Sequence, residues 1–390
     1  MKNRCDIILL SYENPDLLKK CVESVLDHTK TNSTLIIVDN SSRDPEVRRY
    51  LSSLKGNHTV NVEKVFSEKN SGFSAGMNKG MRLSDAPFLC LLNNDCVVTE
   101  GWLEEMISVA ESNDRIGLVN PQSNTFGSLP DRSISVDEHA GLLSDKKGLY
   151  VELGHAIGFA CIIKRQVVDS VGYLDEEYEG VCYEDTDLSL RAQRAGYLSV
   201  MAEGAYVFHH EQASRKTLKG KEEIYSRNRA IFEKKWGKIT RVLFMDRDKG
   251  LPWGKQTVRS DYEALKALAR KRVFIDMWVC DRTGALGPEE AEECHVYPRH
   301  ADIGVRIVRD SFAGILLIWK VLTKKKKYDA LILRKGFLAL LLKFLGSFRG
   351  TRVYLIDGGT KIRSLRGMRF DIKEPEGFVS ELKNPSVGKN

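Results

Sequence analysis

No apolar run in this chain approaches the roughly 20 residues that a membrane-spanning helix requires. The longest, Phe312–Trp319 and Phe337–Leu342, are each ended by a lysine. Ile7–Leu10 is only strand-length, so no secretory signal is expected at the N-terminus. The eight cysteines (Cys5, Cys21, Cys90, Cys96, Cys161, Cys182, Cys280, Cys294) contain no C-x-x-C pair. Several lie inside apolar runs, where cysteine acts as a small hydrophobe. That pattern argues against a disulfide framework and suits a reducing compartment. Charge of one sign is not extreme either: the net charge is +7 over 390 residues. No nucleic-acid signature accompanies it, so nucleic acid is not an expected partner. The local excess, Lys324–Lys327 and Arg363 to Arg369, suits a phosphate-rich ligand, an anionic membrane face or a solvated surface. The expected location is cytoplasmic, with peripheral contact at the inner face of a membrane.

What is present is globular composition, 42% hydrophobic and 29% charged, at a length that suits one large domain and a smaller one. Short β-rich runs alternate with helical ones. Cys5–Leu10, Thr34–Val38, Val60–Phe66 and Pro87–Leu92 read as strands; Asn14 to Leu26, Pro45–Leu54 and Ala75–Leu83 read as helices. Such alternation predicts α/β architecture, a mostly parallel sheet with helices on both faces. Ligands of such sheets bind beyond the carboxyl ends of the strands, where Asp39 and Asp95 fall. Gly117 to about Val151 reads as loops or a lid. Ile157–Lys164 and Met201–His209 read as further strands, with helices at Gln166–Val171, Glu184–Ala195 and Lys221–Trp236.

Asp248-Lys249-Gly250-Leu251-Pro252 interrupts the periodicity and predicts a boundary. The expected domains are 1–245, a small α/β unit over 258–372, and a loose tail over 373–390. The small unit is expected to contain strands at Val273–Val279, Tyr328–Leu333 and Arg352–Ile356, with helices at Ile303–Leu322 and Phe337–Phe348. It carries no recognisable nucleotide-binding signature, and is read as an accessory unit.

Four segments in fixed order carry the chemistry. Val38-Asp39-Asn40-Ser41-Ser42 ends the second strand. Asn70 to Gly80 holds Gly72, Gly76 and Gly80 but no GK[ST], so it is not a P-loop. Leu91-Leu92-Asn93-Asn94-Asp95 ends the fourth strand. Gly172-Tyr173-Leu174-Asp175-Glu176 runs on to Tyr183-Glu184-Asp185-Thr186-Asp187-Leu188-Ser189-Leu190-Arg191. Over residues 4 to 237 this ordered set resembles the family 2 glycosyltransferases, especially their rhamnosyltransferase-like branch.

The resemblance implies a GT-A nucleotide-diphospho-sugar transferase fold and metal-dependent, inverting sugar transfer. The donor would be a UDP- or dTDP-sugar, and the acceptor a hydroxyl of a glycan or lipid-linked glycan in surface polysaccharide synthesis. It carries the general base to Asp185, and Mg²⁺ or Mn²⁺ ligation to Asp95. Asn93 stands where the family's D-x-D begins with Asp, which leaves less charge for the metal. Ser11, Tyr12, Asp39, Asn70, Gly72, Asn78, Asn94 and Asp95 would form the donor pocket, with Asp39 on the pyrimidine and Glu13 in place of a common Asn. In Val207-Phe208-His209-His210-Glu211-Gln212-Ala213-Ser214 the H-x4-S spacing favours His209 as a metal or diphosphate ligand, with His210 the alternative. Gly158, Glu184 and Arg191 would face the acceptor; Arg191 could equally answer the diphosphate or an acidic neighbour. Trp102 and His155 are expected to be structural, and Cys182 has no histidine partner for a thiol nucleophile. A non-catalytic nucleotide- or glycan-binding protein of the same fold is the competing expectation. A nucleotidyltransferase would need a basic Gly-rich loop after the first strand, which Ser11 to Leu17 lacks.

Overall fold

The structure, a computed structural model, describes residues 4–180, 182–210, 221–246, 255–281, 283, 294–323, 327–334, 350–364 and 367–383. The chain divides into two compact units, Met1–Trp236 and Gly237–Asn390.

The first unit opens with β1 (Cys5–Ser11), α1 (Pro15–His28), β2 (Ser33–Asp39), α2 (Pro45–Ser53), β3 (Val60–Phe66), α3 (Phe73–Leu83) and β4 (Phe88–Asn93). These four strands are parallel, in the order β3-β2-β1-β4. β1 and β2 are buried along almost their whole length, as strands covered on both faces must be, which is why both read as continuous apolar runs. Asp6 interrupts the run of β1; its carboxylate accepts from Thr34 N–H (3.1 Å) and Ser84 Oγ–H (2.7 Å), so the buried charge is paired. Gly76 and Gly80 let α3 lie close on β1: a Cβ at either would collide with Leu10 or Ile8. Their role is packing of the helix on the sheet, whereas Gly72, the glycine expected in the donor pocket, lies in a turn at φ 83°.

The sheet continues through β5 (Cys96–Val98), α4 (Trp102–Glu111), β6 (Ile116–Gln122), α5 (Val136–Gly141), β7 (Tyr150–Leu153), β8 (Ala160–Lys164), α6 (Arg165–Val171), α7 (Glu184–Arg194), β9 (Leu198–His209) and α8 (Lys221–Trp236). β8 is antiparallel to β4 and β6, while β6 and β9 run parallel. β7 and β5 pair antiparallel with β9. The expected lid over 117–151 is therefore corrected. Its start is β6, a fully buried strand between β8 and β9, and its end is β7. Pro121 lies in β6 where the register with β9 shifts, as a proline inside a sheet should.

The second unit contains β10 (Thr240–Met245), α9 (Lys255–Ala269), β11 (Val273–Asp281), β12 (Ile303–Arg309), α10 (Asp310–Thr323), β13 (Ala330–Arg334), β14 (Arg352–Gly358), β15 (Lys361–Ser364), β16 (Arg369–Asp371) and α11 (Glu376–Lys383). Its sheet order is β12-β11-β10-β13-β14-β15-β16; the first five strands are parallel and the last two antiparallel. Three sequence expectations change here. β10 pairs with β11 and β13, so the division falls after Trp236 and not at 245. The helix expected over 303–322 is a strand followed by a helix. The tail expected from 373 includes α11, whose Phe378 is buried against Tyr354, ring centroids 4.8 Å apart. The helix expected at Phe337–Phe348, residues 324–326 of the lysine cluster, and Ser214 lie outside the described residues.

Candidate active site

Strand register gathers the expected donor residues. Ser11 lies opposite Asp39, and Leu10 opposite Asn93, so β1, β2 and β4 end at one edge of the sheet. The chain turns sharply there, with Glu13 at φ 56° and Asn14 at φ 54°. Glu13 holds the turn: its carboxylate accepts from the N–H groups of Arg43 (3.1 Å) and Asp44 (3.1 Å). Asp39 is buried, and its Oδ1 accepts from the Ser42 hydroxyl (2.6 Å). Tyr12 stands half-exposed beside it.

Asn40, which the motif reading passed over, is the staple of this edge. Its amide donates to Asn70 Oδ1 (3.0 Å) and Gly72 O (3.1 Å), and its carbonyl oxygen accepts from Ser71 N–H (3.0 Å). Asn70 and Gly72 are thereby held at the strand ends. Asn78 is placed differently from the expectation. Its buried amide is spent on Leu174 N–H (3.0 Å), Leu174 O (2.9 Å) and Glu176 Oε1 (2.8 Å), so it ties α3 to the 172–176 loop.

Asp95 follows β4 and faces the end of β9. Cys96 and His209 are register partners across β5 and β9, and His209 Nε2 lies 3.2 Å from Asp95 Oδ1. Yet that oxygen is buried with no aligned hydrogen-bond donor. Two ligand atoms side by side but not bonded to each other suit a cation between them. The His209 ring is fixed by stacking on Phe159 (5.2 Å, 16°). Asp95, Cys96 and His209 offer ligand atoms within 4.8 Å of one another. The Cys96 thiol, however, donates to Phe159 O (3.4 Å), and burial pushes its pKa well above the usual range. The available pair is thus one carboxylate oxygen and one imidazole nitrogen, leaving the remaining positions for phosphate oxygens and water, as Mg²⁺ or Mn²⁺ would use them. His210 does not share this position: its backbone N–H donates to Asp95 O (2.9 Å) and its ring packs on Phe208.

α7 presents the acidic cluster. Cys182 (φ 87°) and Tyr183 (φ 79°) both adopt the left-handed region immediately before it, an arrangement that costs of order 1–3 kcal/mol per residue. α8 holds them there. Asn228 donates to Glu179 O (2.8 Å) and Cys182 O (3.3 Å), Tyr225 bonds the Tyr183 hydroxyl (3.0 Å), and Phe232 packs on the Tyr183 ring (4.9 Å). Asp185 then accepts from Gly158 N–H (2.8 Å) on one oxygen and from Thr186 on the other. A Cβ at Gly158 would lie 3.4 Å from the Asp185 carboxyl, so the backbone passes close to the proposed base.

Glu184 is buried with Oε2 unpartnered; burial, then the Asp185 charge, pushes its pKa up to about 8. The folded chain therefore holds a proton there that the unfolded chain releases near pH 4.5. Stability contributed at this site falls as pH rises between those values. Glu184→Gln is expected to flatten that part of the stability–pH curve, measured as urea midpoints from pH 5 to about 9.

The remaining motif residues are structural. Asp187 has no exposed surface and accepts from Arg191 Nε (2.8 Å), Trp236 Nε1 (2.7 Å), Lys235 Nζ (2.7 Å) and the Tyr178 hydroxyl (3.4 Å). Arg191, expected at the acceptor, spends its other donors on Val171 O (2.5 Å) and Tyr173 O (2.7 Å). It braces the loop ahead of α7.

Buried oxygens without protein partners mark the edge more sharply than the motifs do. Ser11 Oγ, Ser74 Oγ, Asn93 Oδ1, Asp95 Oδ1 and Glu184 Oε2 all lie on strand ends or helix starts of this unit. Buried polar atoms are otherwise nearly always bonded, so such a group points to a ligand. Ser74 was not among the expected site residues, and Asn93 was named only as the neutral first position of the D-x-D motif. A serine after a phenylalanine carries no signal in sequence alone.

Residues 6–172 match the family described as "Glycosyl transferase family 2". The chain is 28% identical over 232 residues to an uncharacterised protein, y4gI, of Sinorhizobium fredii, covering 54% of this chain and 24% of that one. It is 27% identical over 240 residues to the O-antigen biosynthesis protein RfbC of Myxococcus xanthus, covering 55% and 18%. The glycosyltransferase AglE of Haloferax volcanii is 21% identical over 286 residues, covering 70% of this chain and 91% of AglE. The chain thus spans a quarter or less of the first two relatives. A solved mannosyltransferase of Pyrobaculum calidifontis, in complex with GDP-Man and Mn²⁺, aligns at 13% identity and TM-score 0.43 over 55% of this chain and 60% of its own, too loosely to carry a conclusion. The first unit is an α/β domain with its polar site at the strand ends. Within it, residues 6–172 are similar to glycosyl transferase family 2. These matches bear on the family and not on its rhamnosyltransferase-like branch.

Proposed function

We propose that the first unit transfers a sugar from a nucleotide diphosphate to a hydroxyl of a glycan or lipid-linked glycan, with inversion at the anomeric carbon. One observation carries this reading. Gly158 N–H touches the Asp185 carboxylate, and the next residue, Phe159, touches Asn93, Cys96 and His209. Successive Cα atoms lie about 3.8 Å apart, so base and cation ligands share one short stretch of backbone. That spacing suits a displacement in which the acceptor loses a proton at one side while the diphosphate leaves at the other.

In this mechanism Asp185 takes the proton of the attacking hydroxyl on a carboxylate oxygen, oriented by Gly158 and Thr186. Asp95 and His209 would hold Mg²⁺ or Mn²⁺, which would neutralise the charge growing on the leaving diphosphate. Asp39 accepts the ring N–H of uracil or thymine, with Ser11 and Tyr12 beside the base and Asn70, Gly72 and Asn94 along the rest of the donor. Glu184, neutral below about pH 8, donates a hydrogen bond to the acceptor. A role in surface polysaccharide synthesis is supported by the O-antigen name of one relative. A lipid-linked acceptor would bring the chain to the inner face of a membrane, and the second unit would serve as an accessory to that task.

A thermal-shift panel of UDP-, dTDP- and GDP-sugars with and without Mn²⁺ tests the donor site. Stabilisation by one nucleotide, only with metal, is expected; at a hundredfold excess over Kd it amounts to about 2.7 kcal/mol. Excess chelator is expected to abolish transfer. Full transfer in chelator removes the metal, and no response to any nucleotide replaces the enzyme with a binding module.

A further inference from the structure

α10 has two apolar faces. One is spent: Ala313 and Leu317 are wholly buried against Leu243, Met245, Trp278 and Cys280 in the core of the second unit. The other faces outward. Phe312, Ile315, Leu316 and Trp319, spaced i, i+3, i+4 and i+7, are 55%, 69%, 42% and 63% exposed. That spacing places all four on one stripe. Single exposed apolar residues need no explanation, but four large ones on one stripe mark an interaction surface.

The surroundings say what covers it. Across residues 303–334 the sequence carries eight basic residues, Arg306, Arg309, Lys320, Lys324, Lys325, Lys326, Lys327 and Arg334, against two acids, Asp310 and Asp329. Among the described ones, Arg309 at the end of β12 and Lys327 beyond α10 are exposed, while Arg306, within β12, and Lys320 pair with the buried carboxylate of Asp276 (3.1 and 2.7 Å). A second copy of the chain would bring like charges together along this stripe. An anionic lipid surface matches both properties: headgroups answer the arginines and lysines, and the acyl boundary takes the apolar side chains. Tryptophan at the stripe's end suits the headgroup level. With 14 residues α10 is too short to cross a bilayer, and among the described residues no helix is long and apolar enough to do so. The geometry has it lying in the plane of the surface.

We propose that the outward face of α10 docks the second unit on an anionic membrane, with Phe312, Ile315, Leu316 and Trp319 inserted and the flanking basic residues on the headgroups. The inference stands on this face alone and survives failure of the sugar-transfer reading, because its test reads lipid binding and not turnover.

The test is co-sedimentation of the full chain with vesicles of phosphatidylcholine, with or without a third of phosphatidylglycerol. The chain is expected to pellet with the anionic vesicles. Binding should weaken at least tenfold for the neutral vesicles, at high salt, for Arg309→Glu, and for the double variant Ile315→Asp/Trp319→Ser. Circular dichroism of the variants separates lost binding from lost fold, and Phe312→Ser alone serves if the double variant melts early. Failure of the wild-type chain to pellet overturns the proposal, as does equal binding to neutral vesicles. A concentration-dependent dimer that the double variant dissolves also overturns it, and makes the face a self-association surface.

Discussion

Asp185→Asn is expected to lower kcat by ~10²- to 10⁴-fold, the usual contribution of a positioned general base. The amide keeps the shape of the carboxylate and can still accept from Gly158 N–H, so the fold and the donor affinity should be preserved. Two readouts check this together: turnover with saturating donor and acceptor, and the thermal shift by donor and Mn²⁺. Loss of turnover with an unchanged shift supports the base assignment. Unchanged turnover in a folded variant transfers the role elsewhere, with Glu184 next to be tested.

Two residues along the same helix, substitution should act on the fold. Asp187→Ala removes the carboxylate that Arg191, Lys235 and Trp236 share, leaving Lys235 with Asp175 (3.0 Å). It leaves the Arg191 guanidinium without its carboxylate in a site where Asp187 itself is wholly buried. Breaking a buried pair in this way costs about 3–5 kcal/mol. Urea unfolding should show a loss of that order, with α8 loosened from α7. A loss below about 1 kcal/mol would make the network a surface feature. Asp185 and Asp187 thus exchange effects: one governs chemistry with little stability, the other stability with chemistry lost only through the fold.

Of the first four strands β1, β2 and β4 were legible because each is an almost wholly buried apolar run bounded by a turn signal, and the half-exposed edge strand β3 was bounded at Val60 and Phe66 by sequence alone. β6 was not, because Gly117 and Pro121 read as breaks. In the sheet Gly117 packs closely against Val167 and Tyr197, and Pro121 sits at a register shift. The junction of β12 and α10 was lost for a different reason: apolar residues recur on both sides of Arg309-Asp310-Ser311, and only alternate exposure at Ile303 to Arg309 distinguishes the strand.

At the site, the residue types of the motifs were informative and their targets were not. Asp185 and Gly158 were expected near the acceptor, and they touch. His209 was preferred over His210 by spacing, and its ring is the one beside Asp95. Asn78 and Arg191 belong to the same motifs, but an amide or a guanidinium can bind a ligand or brace a loop with the same hydrogen bonds. Only the partners, Leu174 for one and Val171 with Tyr173 for the other, distinguish the two uses. Asn40 and Ser74 escaped notice because a short polar side chain beside a turn is common everywhere on a protein surface.

Seven of the eight cysteines are buried; Cys182 alone is partly exposed, in the strained turn three residues before Asp185. A maleimide dye applied to the native, unmutated chain should therefore attach at one place. The dye would sit at the mouth of the proposed acceptor site, where a change in its emission would report the arrival of a glycan that has no chromophore of its own.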